Sequence, residues 1–338
     1  MKYHLYSLAT VLVLATAPAS DAALAKNQVA SDAKWLLHLD LQNLRRTQVG
    51  EFLTKHVVEK ATGELKAKAG IDLGALVSKI SHVTAYGTDF AKHPEANGVM
   101  MIQMDAEAQK ILEGFLAAQL LADAKGALKK EQKESSVLYS LKNELFLAVQ
   151  PDHLVMLGKS QRQIEKAQDV IAGTAANLNE SRAFSDFPAV PEAFFFLAVA
   201  EGFNEDSAIP PQAQVLKMAD GGRLVLGEKA ERLFLDLALR AKSSEVSDQI
   251  QQVFEGIKAM VSLSQDKNQE LQELVRSIKV STKGKIVTIN VEYPVGPLMK
   301  KVGEKIDDKF KGRDGESTSK PGSEPKADGA ENPRKKAE

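Results

Sequence analysis

From Lys34 to Asp40 the chain alternates Trp35, Leu37 and Leu39 with Leu36, His38 and Asp40. A period of two is that of a half-buried strand, and it predicts one here with its odd positions toward the core. Over 49–68 the period lengthens. Phe52, Leu53, His56, Val57 and Leu65 fall near helical spacing, and Gly70 ends the run. Strands are predicted at 80–89 and 98–104, joined as a hairpin by the turn-rich residues 92–98. A helix follows over 106–121, then strands at 136–141 and 144–149 across Lys142-Asn143, and a third at 153–158.

The second half repeats this order. A strand at 193–200 precedes a short helical stretch near 211–218, strands at 222–227 and 232–241, and a helix over 244–264. A hairpin over 277–292 and an apolar helix on Leu298, Val302, Ile306 and Phe310 close it. Short matches run in parallel, 140 to 142 residues apart: 84–87 with 224–227, 110–121 with 252–263, and 136–148 with 277–289. These matches point to tandem duplication. Glycine inside a helix is unfavourable, so its recurrence at Glu113-Gly114 and Glu255-Gly256 is expected to mark two buried, closely packed positions. The pattern predicts an α+β fold of two tandem ferredoxin-like units, βαββαβ plus a hairpin, with helices packed on antiparallel sheets. The first unit is expected over 26–180 and the second over 181–310.

The two ends read differently from the body. Lys2 and His4 precede an apolar run from Leu5 to Ala17, then Pro18 and the small residues up to Ala25, so 1–25 reads as a secretory signal peptide. That run is shorter than the roughly 20 residues of a membrane span, and no later segment reaches that length. From Lys311 to Glu338 no large apolar residue occurs, and 311–338 reads as a disordered tail of mixed charge.

Composition narrows the chemistry. Hydrophobic and charged residues make up 43% and 26% of the chain, ordinary for a globular protein, and the net charge of −1 gives no footprint for nucleic acid. The chain contains no cysteine, which removes disulfides, thiolate nucleophiles and cysteine-ligated metal centres. An exported chain of this kind fits a bacterial periplasm or extracellular space. No cofactor is expected, and a partner would be another envelope component or protein.

Few residues suggest a site. Gly158-Lys159-Ser160 ends like a phosphate-binding loop, but His153 stands where its first glycine belongs. Ser160 with Gln163 reads instead as a helix cap. His56 and Glu59 sit three apart on a predicted helix, while Lys60 stands where a second histidine would complete a zinc motif. His38 and Asp40 share the face of the first strand assigned away from the core, where a carboxylate could orient an imidazole. They are the candidates for a polar site.

The export signal is followed by Ser31-Asp32-Ala33-Lys34-Trp35-Leu36-Leu37-His38-Leu39-Asp40, and later by 145–149 and 152–160. Together these stretches resemble uncharacterised exported proteins of Verrucomicrobia, Planctomycetes and related bacteria. The resemblance covers most of the body and not the tail, and it implies no activity or site residue. The reading is a non-catalytic periplasmic or extracellular binding or scaffolding protein. The alternative is a periplasmic hydrolase with its site assembled between the two units.

Overall fold

A computed structural model describes residues 24–58, 73–89, 94–123, 126–133, 136–202, 217–263 and 269–303. The expected tail, most of the signal peptide, Glu59 and residues 211–216 lie outside them. The alternating run at the start becomes β1 (Trp35–Asp40), and Asp40 then caps the short α1 (Leu41–Leu44) by accepting the Asn43 N–H at 2.7 Å. Next come α2 (Gln48–Leu53), α3 (Leu73–Ser78), β2 (Ile80–Gly87), β3 (Gly98–Met104) and α4 (Ala106–Ala122), whose N-cap is Asp105. The first half ends with β4 (Leu128–Gln132), β5 (Val137–Leu141), β6 (Leu145–Val149), β7 (Leu154–Gly158) and α5 (Gln161–Ile171). The second half has β8 (Phe194–Glu201), β9 (Ala219–Lys229), β10 (Arg232–Ala241), α6 (Ser244–Leu263), α7 (Gln269–Ser277), β11 (Lys279–Lys283) and β12 (Ile286–Pro294). Residues 295–303 are helical.

The chain is α+β, with helices on an antiparallel sheet, but the 12 strands among the described residues form one sheet, in the order β11-β12-β10-β9-β8-β1-β2-β3-β7-β6-β5-β4. This corrects the expected ferredoxin-like units. Such a unit places another strand between the two that flank its first helix, whereas β1 pairs directly with β2 from Trp35↔Gly87 to Asp40↔His82. The helical segment turns the chain back on itself instead of crossing over. The halves meet where β1 pairs with β8, from Trp35↔Ala200 to Leu39↔Phe196. Outward from that junction lie β2 and β3 on one side and β9 and β10 on the other. The hairpin bordering the third strand is β6–β7 in one half and β11–β12 in the other. The sequence match of 136–148 with 277–289 therefore pairs hairpins that hold different places. Its edges are the lysine-bearing β4 and β11, and exposed charge of this kind discourages pairing with another sheet.

The two faces of β1 are the reverse of the sequence expectation. Leu36, His38 and Asp40 are at most 1% exposed, while Leu37 is 43% exposed. The N-terminal segment, α5 and the loop after it cover the His38 face, where Leu36, Tyr86, Met101, Met156, Leu197 and Val225 form the largest core cluster. On the Trp35 face, α4 covers Ile102 and Val155, and α6 covers Leu239 and Val287. Leu37 and Met100 lie in the strip between them.

Two kinds of glycine behave oppositely. Gly87 and Gly98 pair across β2 and β3, and the Trp35 ring lies on both, so a Cβ would come within 2.6 Å and 2.8 Å of the indole. Gly227, which the sequence match of 84–87 with 224–227 aligns with Gly87, lies against Phe234 in the same manner. Gly114 and Gly256, expected to be buried, are exposed, and a Cβ at either would meet nothing within 4 Å. The reason is that α4 and α6 dock by few residues, Ala108 and Leu116 in one, Ser247 and Ile250 in the other, and present their glycines to solvent.

The glycine substitutions should therefore separate by sign. Urea unfolding should show Gly87→Ala and Gly98→Ala less stable by about 1–3 kcal/mol through overpacking against Trp35. Gly114→Ala and Gly256→Ala should each gain about 0.5–1 kcal/mol from helix propensity.

Candidate functional site

The chain start is built into the His38 face. Val29 is fully buried, and its carbonyl accepts the Leu178 N–H at 2.8 Å. Ser31 N donates to Ala176 O, and Ser181 Oγ donates to Ser31 O. The N-terminal segment and the loop at 172–193 thus lie side by side across β1 and β8. They roof several cavities.

His38 and Asp40 lie beneath this cover. Nδ1 of His38 is 2.8 Å from Thr84 Oγ1, and its ring is 5.5 Å from that of His82 and 6.0 Å from Phe194. Burial raises the Asp40 pKa above the ordinary carboxylate value, opposed by the backbone N–H groups of Asn43 and Gln42 and by Arg46 and Arg45. The strand that aligns these two residues was legible, but not their burial. Thr84 and the first turn of α1 supply the hydrogen bonds that let polar groups sit there.

A polar cleft of about 500 Å3 adjoins the cluster, lined by His82, Gln42, Arg45, Ser81 and Gln103 among others. Arg45 donates to Val77 O and Ile80 O at 3.3 Å and 2.9 Å, tying α1 to the end of α3 and the start of β2. Burial lowers its pKa, with Asp40 opposing. His56 has Nδ1 3.1 Å from Phe52 O and stacks on the Phe52 ring at 4.3 Å, contacts within its own helical segment. Gly158 ends β7 and Ser160 precedes α5 as its N-cap, but the Ser160 side chain makes no cap hydrogen bond. The Ser160 carbonyl instead accepts the Gln163 and Ile164 N–H groups.

The other cavity of note, about 340 Å3, lies beneath residues 178–190. Leu36, Leu197 and Val199 of the sheet and Leu178, Phe184 and Phe187 of the loop line it, alongside the polar Lys26, Asn179, Ser181 and Ser185. Arg223 of β9 lines it too, at 2% exposure. Nη1 of Arg223 donates to Pro188 O and Ala189 O, and Nη2 pairs with Asp236 at 2.7 Å. Its Nε is buried without a partner among the described residues.

A second arginine holds the roof. Arg240 pairs with Asp220 at 2.6 Å, Asp186 at 3.0 Å and Glu201 at 3.1 Å, and its guanidinium stands 5.8 Å from the Phe187 ring centre. Glu201 also accepts the Phe184 N–H at 2.9 Å. That contact holds Phe184 at φ 63°, a left-handed conformation that a bulky side chain rarely adopts. Sequence reasoning missed both arginines. The available signal was phase: Arg223 falls in step with Val225 in the alternating β9, on the side that becomes buried.

Asp40 yields a pH-dependent test. With its folded pKa raised above the ordinary carboxylate value, the native state keeps a proton that the unfolded chain releases, so this group's contribution falls as pH rises from about 4. Asp40→Asn retains a capping oxygen and cannot ionise. Its thermal midpoint relative to the parent should therefore climb between pH 4 and pH 7, and a flat or falling difference would contradict the assignment.

No known protein family matches the chain, and neither does any curated protein. Among solved structures, crystal form III of TP0453 is similar with a TM-score of 0.46 and 10% identity, covering 82% of this chain and 97% of that one. Crystal form I of TP0453 gives 0.43 and 8%, covering 82% and 96%.

Proposed function

We propose that this is an exported, non-catalytic binding protein of the bacterial periplasm or extracellular space, with its ligand held in the cavity beneath residues 178–190. The observation that carries the reading is the cavity itself, about 340 Å3 enclosed between the sheet residues Leu36, Leu197 and Val199 and a loop tied down through Arg223 and Arg240. The cavity volume falls in the range of small-molecule sites, roughly 300–1,000 Å3. The left-handed Phe184 in the roof supports the reading, because backbone strain collects at ligand clamps. Where the halves meet, Leu36, Leu197 and Val199 pack beside His38, which favours binding of apolar matter over hydrolysis.

In the same reading the halves are tandem copies related by a two-fold about the β1–β8 junction. The equivalent places of Gly87 and Gly227 under aromatic rings support this. Export is supported by Lys2 and His4 before the apolar run from Leu5 to Ala17, followed by Pro18 and the small residues up to Ala25. N-terminal sequencing of protein from its host should begin between Ala23 and Lys26, and an intact Met1 would contradict export.

Nile red, a neutral apolar dye, tests the cavity. Its fluorescence should saturate at one dye per chain, and Ala183→Trp, which places an indole in the cavity, should weaken binding by about tenfold or more. Dye binding that does not saturate, or that ignores Ala183→Trp, would overturn the assignment of the site.

A further inference from the structure

Exposed apolar surface is concentrated on one face of the sheet. Among the described residues 11 large apolar side chains are exposed, and of these only Val190, in the loop over the cavity, lies on the His38 side. Leu37, Met100, Leu141 and Leu145 stand on the Trp35 face, as the cross-strand pairing fixes. The other six are on α4 and α6, with Leu121 at 91%, Met260 at 74% and Leu263 at 81% exposure. These fractions leave on the order of 1,000 Å2 of apolar side chain in water on this face, whereas the largest patch of a typical monomer is roughly 300–600 Å2. A stable complex buries about 800 Å2 on each partner, so the face is large enough for one.

Charge and side-chain size select the occupant. Along α4 and α6, Glu107, Glu113, Glu245, Asp248 and Glu255 outnumber Lys110 and Lys258. Helices that lie in a lipid surface carry the opposite excess, which draws them to anionic headgroups. The charges also stop before the apolar ends, for none follows Glu113 within α4 or Lys258 within α6. Those ends are complementary. α4 exposes the small Gly114, Ala117 and Ala118, whereas α6 exposes Ile257, Met260 and Leu263, and the match of 110–121 with 252–263 sets Ala118 against Met260. One helix thus offers a shallow row and the other a raised one, and helices pack by setting ridges into grooves. A single chain cannot join them, because α4 lies over β3 and β7 and α6 over β10 and β12, with Leu37 and Met100 between. A second copy can join them twice.

We propose that the Trp35 face is the interface of a two-fold dimer in which α6 of each copy lies along α4 of the other. Met260 of one copy enters the row of Gly114, Ala117 and Ala118 of the other, and the symmetry makes the two contacts identical. Leu37 and Met100 lie between them. The net charge of −1 leaves little long-range repulsion between copies.

Sedimentation velocity on the purified protein, from about 1 to 100 μM, should show monomer passing to dimer. Met260→Glu should raise the dissociation constant by about tenfold or more, because the contact would bury a carboxylate, and Val190→Glu on the other face should not. Both positions are exposed in the single chain, so the thermal midpoint of dilute protein should hold in each. Ala118→Glu should weaken the dimer as Met260→Glu does. Combining Ala118→Glu with Met260→Lys should recover it, because each new carboxylate then meets a lysine of the other copy. That recovery is particular to α4 against α6, since α4 on α4 would keep two carboxylates together. Monomer throughout the range, a dimer indifferent to Met260→Glu, or a double variant no tighter than Ala118→Glu alone would overturn the proposal. So would a monomer that floats with vesicles of phosphatidylcholine and phosphatidylglycerol and loses them on Met260→Glu, which would assign the face to lipid.

Discussion

The pairing of β1 with both β2 and β8 is the constraint on which the rest of the molecule depends. β1 joins the two halves into one sheet and, through its register, decides which residues share a face. Once Leu36, His38 and Asp40 face the N-terminal segment, the cross-strand partners Thr84 and Tyr86 on β2 and Leu197 and Val199 on β8 follow, because side chains alternate with a fixed period of two. A slip by one residue would bury Trp35 and Leu37 and turn His38 outward. It would also remove the Trp35 ring from the glycine pair at Gly87 and Gly98, which holds the register from the opposite face.

The cover over the His38 face is irregular chain held by charge. Arg223 and Arg240 each bind several groups at once: backbone carbonyls and Asp236 for the first, three carboxylates for the second. One guanidinium shared among several acceptors spends less side-chain freedom per contact than separate lysines would, and its planar fork suits the geometry. The result is a roof fixed at Phe184, Asp186, Pro188 and Ala189 over a floor of aliphatic strand residues. Leu178 and Phe187 of this loop belong to the same core cluster as Leu36 and Leu197. Here the ties to β9, β10 and Glu201 hold its backbone from the side, and space remains.

On the opposite face the helices dock by few side chains. Leu121, Val253, Ile257, Met260 and Leu263 remain exposed on α4 and α6, and Leu37 and Met100 are exposed on the sheet between them. The pattern of matched sequences had suggested tight packing at Gly114 and Gly256. The matched glycines lie instead on the outer surfaces of their helices, exposed alike.

Strand and helix assignments were legible in the sequence wherever apolar periodicity was strong. β3, α4, β10 and α6 fall within a residue or so of their predicted bounds, and the antiparallel hairpins follow from turn residues such as Lys142-Asn143, both at positive φ. β4 escaped notice because Leu128 to Gln132 is mostly charged, as an edge strand can afford to be. Strand order was not legible: local periodicity specifies a strand and its two faces but not its neighbours, so a direct β1–β2 pairing and an interleaved unit write the same pattern. The site was legible only in part. His38 and Asp40 stood out as polar residues in a strand, yet whether they met water or the core depended on residues far along the chain, from Val29 to Phe194. Arg223 and Arg240 became meaningful only when the fold brought Pro188, Asp186 and Glu201 to them. The sequence by itself determined the local elements, because each needs only its own turn or alternation. Tertiary structure alone decided burial and the cavity, because both are set by contacts between segments that no local pattern encodes.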